Sequence, residues 1–186
     1  MTLKAIVFGT ETHDKENPII IEAAWIDPLT WDEANPPEGS TFCQRYNPGV
    51  PITYGAMAVH HIRNEDLVGC PPAESFKLPE SVEYIIGHNI DFDWKAIGCP
   101  PVKRICSLAL ARAYLPNLDS HTQSALMYYF FGAAAKEKLK EAHSSLADVQ
   151  NLVLILDAMT ERCVIPGCSE FEELWELSEE ARIPKK

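Results

Sequence analysis

The sequence predicts an α/β domain with a mixed sheet, and three observations lead there. Three β-rich runs follow one another early in the chain, joined by segments rich in Pro, Gly, Asp and Asn, as in an antiparallel meander. From residue 81 onward, short apolar β-runs alternate with stretches of helical periodicity, the pattern of strands connected across the face of a sheet. With 186 residues, 46% of them hydrophobic, the chain is long and apolar enough for one sizeable core.

Residues 3–9 form the first strand, with Ala5-Ile6-Val7-Phe8 as its apolar centre. The isoleucine-rich "NPIIIEAAWID" (17–27) is the second, and "STFCQRYNP" (40–48) alternates well enough for a third. "TYGAMAVHHIRNEDLVG" (53–69) predicts short helices and "CPPAESFKLPE" (70–80) a proline-rich connection. "SVEYIIGHN" (81–89) predicts a buried fourth strand, followed by a helix over 89–98 with Asn89 as its cap and Gly98 as its stop. A short fifth strand, "VKRICS" (102–107), precedes helices over 107–115, 120–131, 144–162 and 170–181. The last opens on Ser169-Glu170-Phe171-Glu172, a capping-box pattern.

The net charge of −11 argues against a broad basic surface that coats duplex nucleic acid. It is compatible with a site that grips a few phosphates through divalent cations, because such a site is itself built of carboxylates. The six cysteines contain no CxxC pair, so Cys163 and Cys168 read as separate thiols, which suits a reducing compartment. Met1-Thr2-Leu3-Lys4 runs straight into a strand, and no apolar run spans a bilayer, so the expected location is cytoplasmic, away from membranes. One domain over 1–186 is expected; the close at Pro184-Lys185-Lys186 leaves room for a C-terminal module beyond it.

Acid and imidazole groups collect where elements end. Glu11 follows the first strand, Asp93 (with Asp91 nearby) follows the fourth, and "HSSLADVQ" carries His143 and Asp148. Asp148 sits beside an apolar stripe of Leu146, Val149, Val153 and Leu156, where a plain solvated aspartate is disfavoured. His143 would lie about 140° around a helix from Asp148. The two face one site only if His143 lies in a loop ahead of an N-cap at Ser144 or Ser145. Strands alternate faces with period two, so Gly9 shares Glu11's face and contributes no side chain there. Taken singly, each of these groups is equally well an early-helix acid, a cap neighbour or a surface histidine.

In order, however, "TET", "HNIDFD" and His-x4-Asp resemble the DEDDh (DnaQ-like) 3′→5′ exonucleases of the ribonuclease-H-like superfamily. "ITYGAMAVHHI" (52–62) resembles that family's substrate-binding segment and "ICSLALARAYLP" (105–116) its linking strand and helix. "FEELWELSEEARIPKK" (171–186) is similar to the segment after the catalytic core in exonuclease X-like proteins. The resemblance implies a mixed five-stranded sheet with helices on both faces, and two Mg²⁺ or Mn²⁺ ions. By it, Glu11 and Asp148 hold the metal that activates water, Asp93 joins directly or through water, and His143 is the general base. The family's first motif is Asp-x-Glu, whereas Gly9-Thr10-Glu11 stands here. The missing aspartate would touch both ions, so the second metal is expected to be lost with Gly9 and activity strongly impaired. The other motifs are intact, which points to a recent or deliberate change.

The resemblance also points to His60 for hydrogen bonding, with His61 as an alternative, and to Met57 and Phe92 for apolar contact with base and sugar. Thr10 and Thr12 are candidate contacts to the 3′-hydroxyl. Lys103, Arg104 and Arg112 are candidate phosphate contacts, a solvated surface being equally consistent. The expected partner is a DNA 3′ end, single-stranded by preference, with homo-oligomerisation left open. An exoribonuclease that trims RNA 3′ ends is an alternative, because the motifs alone do not distinguish the two sugars. A catalytically inactive module that binds strand ends or a protein is the third reading, motivated by Gly9.

Overall fold

The computed structural model describes residues 3–32, 35–141 and 143–183; Pro184, Lys185 and Lys186, on which a C-terminal continuation turns, lie outside them. Five strands form one sheet: β1 (Ala5–Thr12), β2 (Ile20–Ile26), β3 (Thr41–Arg45), β4 (Tyr84–Gly87) and β5 (Lys103–Cys106), in the order β3-β2-β1-β4-β5. The first three pair antiparallel and β1-β4-β5 pair parallel, so the sheet is mixed as expected. The helices are α1 (Tyr54–His60), α2 (Asp91–Ala96), α3 (Ser107–Tyr114), α4 (Gln123–Phe131), α5 (Ala135–Lys138), α6 (Ser145–Glu161) and α7 (Phe171–Arg182). Among the described residues, no helix is long and apolar enough to cross a membrane.

Period-two alternation divides the core. Ala5 and Val7 of β1, Ala24 and Ile26 of β2, and Tyr84 and Ile86 of β4 pack with α4 and α6 on one face. Ile6, Phe8, Ala23, Trp25 and Ile85 pack on the other, where Trp94 and Ala96 of α2 cover them. Buried on both faces, β1 and β4 are the continuous apolar runs that a parallel centre requires.

Several local expectations are corrected. The first strand continues through Thr12, so Glu11 lies within the ladder, opposite Glu22. Asn89 is no cap: it adopts φ 68° and turns the chain, while Ile90 takes the N-cap position without a side-chain bond. Asn tolerates that left-handed conformation better than most residues. Helix α7 begins after Glu170, and its start is tied by Glu173, which accepts from the Ser169 backbone N–H at 2.7 Å and from its hydroxyl at 3.1 Å. Helix α5 and the 3-10 turns flanking it occupy a stretch for which the sequence predicts no helix. All six cysteines are free thiols.

Candidate active site

The site forms where α6 crosses the β1-β2 pair. Glu11, Gly9 and Glu22 share the α6-facing side of the sheet, through the alternation that buries Val7 and Ala24 there. Asp93 lies in the first turn of α2, buried, and accepts two bonds from Thr10 at the same oxygen: the backbone N–H at 2.9 Å and the hydroxyl at 2.8 Å. Asp148 lies in the first turn of α6, and its Oδ1 accepts from the His143 backbone N–H at 3.2 Å. That bond folds the preceding loop back, with His143 at φ 71°, a conformation that a non-glycine residue holds only under local constraint. Glu11, Asp93, His143 and Asp148 thereby line one cavity of about 210 Å³, with Gly9 and Phe92 also in its wall.

The carboxylates crowd one another. Burial, and then the neighbouring Asp148, Glu22 and Asp93, push the Glu11 carboxyl up to about 9. Burial raises Asp93 to about 7 against the opposing Thr10 bonds. Burial also raises Asp148, while the bond from His143 and its charge pull it back. No lysine or arginine lines this cavity among the described residues. Carboxylates held together without a basic partner are a chemical fit for one hard cation with oxygen ligands. Among the described residues, no three His, Cys, Asp or Glu side chains stand, as placed, where they could together hold a metal ion. Gly9 contributes no ligand on this face. A Cβ placed there would lie 3.2 Å from Val149 Cγ2 and 3.8 Å from the Ser145 carbonyl oxygen. The face left empty by Gly9 is thus partly filled by α6.

A second groove of about 490 Å³ adjoins the first, sharing Thr10, Glu11 and Phe92 with it. Thr12 and His60 also line it. Met57 does not: it packs on the cluster of Ile21, Ile52, Ile62 and Leu67, and Ala56 and Val59 present the apolar wall of α1 instead. The hydroxyls are already engaged, Thr10 with Asp93 and Thr12 with the Asp14 carbonyl at 2.9 Å, so neither is a free donor. His60 is buried, and its Nδ1 accepts from the Ile62 N–H at 3.0 Å. Its proton therefore sits on Nε2, a buried atom without a hydrogen-bond partner among the described residues, and burial lowers its basicity against the opposing influence of the Thr12 backbone. His61 instead caps α1 with φ 60° and does not line the groove.

Two candidate phosphate contacts are consumed elsewhere. Lys103 binds Glu172 and lies over the Trp175 ring, 4.3 Å from its centroid. Arg104 binds Asp91 at 2.6 Å and stacks on Trp94. Arg112 is exposed on α3 and lines neither the cavity nor the groove. Conversely, sequence reasoning misses Glu22, although a carboxylate inside "IIIEAAW" is a visible anomaly. It is 5% exposed, accepts from the Ser145 N–H at 3.1 Å and pairs with Arg45 at 3.0 Å. Glu22 therefore fixes the start of α6 against the sheet. Gln123, whose amide donates to the Asp148 backbone carbonyl at 2.6 Å, and His88, whose two ring nitrogens bond Ser107 Oγ and the His121 carbonyl, complete the wall.

No protein-family model and no curated protein matches this sequence. Solved structures do match in fold. Exonuclease X in complex with 5′-overhanging duplex DNA superposes with a TM-score of 0.65 at 21% identity, over 94% of this chain and 99% of that one. The zinc-bound E. coli Exonuclease I complex with single-stranded DNA gives 0.64 at 16% identity, over 85% of this chain and 40% of that one. E. coli Exonuclease I with an oligonucleotide gives 0.65 at 16% identity, over 92% and 42%. The chain thus has the ribonuclease-H-like fold of these exonucleases.

Proposed function

We propose that this chain is built as a 3′→5′ exonuclease for DNA ends whose hydrolytic step is strongly impaired by Gly9. The observation that carries the reading is the convergence of Glu11, Asp93, His143 and Asp148, from separate segments, on one cavity that opens onto an apolar groove. The DNA-bound exonucleases that share the fold support it.

Glu11 and Asp148 would hold Mg²⁺ or Mn²⁺, with Asp93 direct or through water; the cation supplies charge at the phosphate and acidifies a bound water. The exposed His143 imidazole takes the proton of the attacking water. Thr10 keeps Asp93 in place through its two bonds. In the groove, Phe92, Ala56 and Val59 seat the terminal base and sugar by sequence-tolerant contact, and the His60 Nε2–H is the directional donor.

The test compares this chain with Gly9→Asp on a 5′-labelled single-stranded oligonucleotide in Mn²⁺. The added carboxylate needs Val149 to give by a few tenths of an ångström, which a side-chain methyl can do. A gain of about a thousandfold, corresponding to about 4 kcal/mol of transition-state stabilisation, is expected. Robust digestion by the unchanged chain after repurification would overturn the impairment. No digestion by a folded Gly9→Asp protein would overturn the nuclease reading. Gly9, with Val149 standing where a side chain there would point, favours a second reading, a strand-end binding module without turnover, for which binding persists and Gly9→Asp brings no activity.

A further inference from the structure

The groove beside the carboxylate cavity has an unexpected charge arrangement. Its lining carries Glu11 and Asp14, and its three threonine hydroxyls are internally bonded, Thr53 Oγ1 accepting the Ala56 N–H at the start of α1. Lys15 is the single lysine or arginine among the described residues that line it. The Lys15 backbone N–H donates to Asp14 Oδ1 at 2.8 Å, which fixes the turn, while the ammonium stays exposed with no carboxylate partner among the described residues. Four other basic groups near the sheet are committed: Arg45 to Glu22, Arg104 and Arg182 to Asp91, and Lys103 to Glu172.

We propose that Lys15 receives a phosphate of the nucleic-acid strand end that enters this groove, an inference that rests on the strand-end reading above. In a chain of net charge −11 a polyanion is repelled unless a cation stands within about a Debye length, about 8 Å at physiological salt, of where its phosphate sits. Lys15 meets that need at the groove, as a cation held by the cavity carboxylates would at the scissile bond. The phosphate is either an internucleotide phosphate or a terminal 3′-phosphate, and the chemistry of recognition is the same for both.

The experiment measures binding of non-cleavable single-stranded oligonucleotides ending in 3′-hydroxyl or 3′-phosphate, by fluorescence anisotropy in Ca²⁺ across a salt series. The proteins are the full chain, Lys15→Ala, Lys15→Arg, and Lys136→Ala as a control at an exposed lysine of α5 outside the groove. Lys15→Ala is expected to weaken binding about five- to tenfold at low salt and to reduce the salt slope by about 0.7, one single-strand phosphate contact. Lys15→Arg and Lys136→Ala should bind within about twofold of the parent, a smaller difference than one lost phosphate contact. A loss on both oligonucleotides identifies the internucleotide phosphate, and a loss on the 3′-phosphate oligonucleotide alone identifies the terminal one. If Lys15→Ala binds both with unchanged affinity and slope while the parent binds well, the role of Lys15 is overturned and the groove reading stands. If the folded parent binds neither oligonucleotide, the strand-end reading falls and this inference with it.

Discussion

Glu11 shows how a single carboxyl carries the character of the site. In the folded chain it titrates near 9, displaced upward by burial and by Asp148, Glu22 and Asp93. In the unfolded chain it titrates near its ordinary 4.5. Between those values the folded state binds the extra proton, so its stability contribution is complete below the unfolded value and is lost as pH rises toward about 9. Asp93, raised to about 7, acts in the same direction over a narrower window. The cation-free protein should therefore melt at progressively lower temperature from about pH 5 to about pH 9. Added Mn²⁺ should raise the melting temperature more at the alkaline end, and Glu11→Gln should flatten both trends. Calorimetric scans across this range check it; a pH-independent cation effect would contradict the crowding of these carboxylates.

The start of α6 presents both Asp148 and the His143 loop, and at the level of elements Glu22 fixes it to the sheet. One oxygen of Glu22 accepts the buried Ser145 N–H, and the other meets Arg45 on β3. The two interactions differ in weight. Arg45 is 46% exposed, so its ion pair is screened and contributes under about 1 kcal/mol. An unsatisfied buried N–H costs about 1–3 kcal/mol. Glu22→Gln, which keeps an acceptor for Ser145, should be nearly neutral in urea denaturation, and Glu22→Ala should lose about 1–3 kcal/mol. Equal losses in both variants would place the weight on the ion pair instead.

The whole molecule is closed by α7, which packs Phe171, Leu174 and Trp175 onto the α6-side core. It is tied to the sheet edge by a buried bond and by peripheral charges. The Cys106 N–H at the end of β5 donates to Ser178 Oγ at 2.8 Å, and Ser178 is fully buried. Lys103–Glu172 and Arg182–Asp91 lie nearer the surface. Ser178→Val strands the Cys106 N–H and should destabilise by about 1–3 kcal/mol, more than Glu172→Ala, which removes only a solvent-screened ion pair. Two-state denaturation curves of both variants test that ranking. Ser107, next to Cys106, bonds His88 in the wall of the carboxylate cavity.

The sheet was legible in the sequence because it depends on neighbours along the chain, whereas the convergence of the acids was expected only from the resemblance of their ordered motifs to a known family. Alternation over Ala5–Thr12 and Ile20–Ile26 sets which side chains share a face, and an apolar stripe sets the face of α6. Ordered motifs at the ends of elements then placed Glu11, Asp93, His143 and Asp148 together. The tertiary structure alone decided that Val149 stands where a side chain at residue 9 would point, that Met57 turns away from the groove, and that Lys103 and Arg104 are bound to acids. It alone decided that Glu22 holds Ser145, 123 residues away, and that Lys15 lines the groove without a carboxylate partner among the described residues. Each of these depends on the distance between segments remote in sequence. Local periodicity sets which way a side chain points, and only packing sets what it meets.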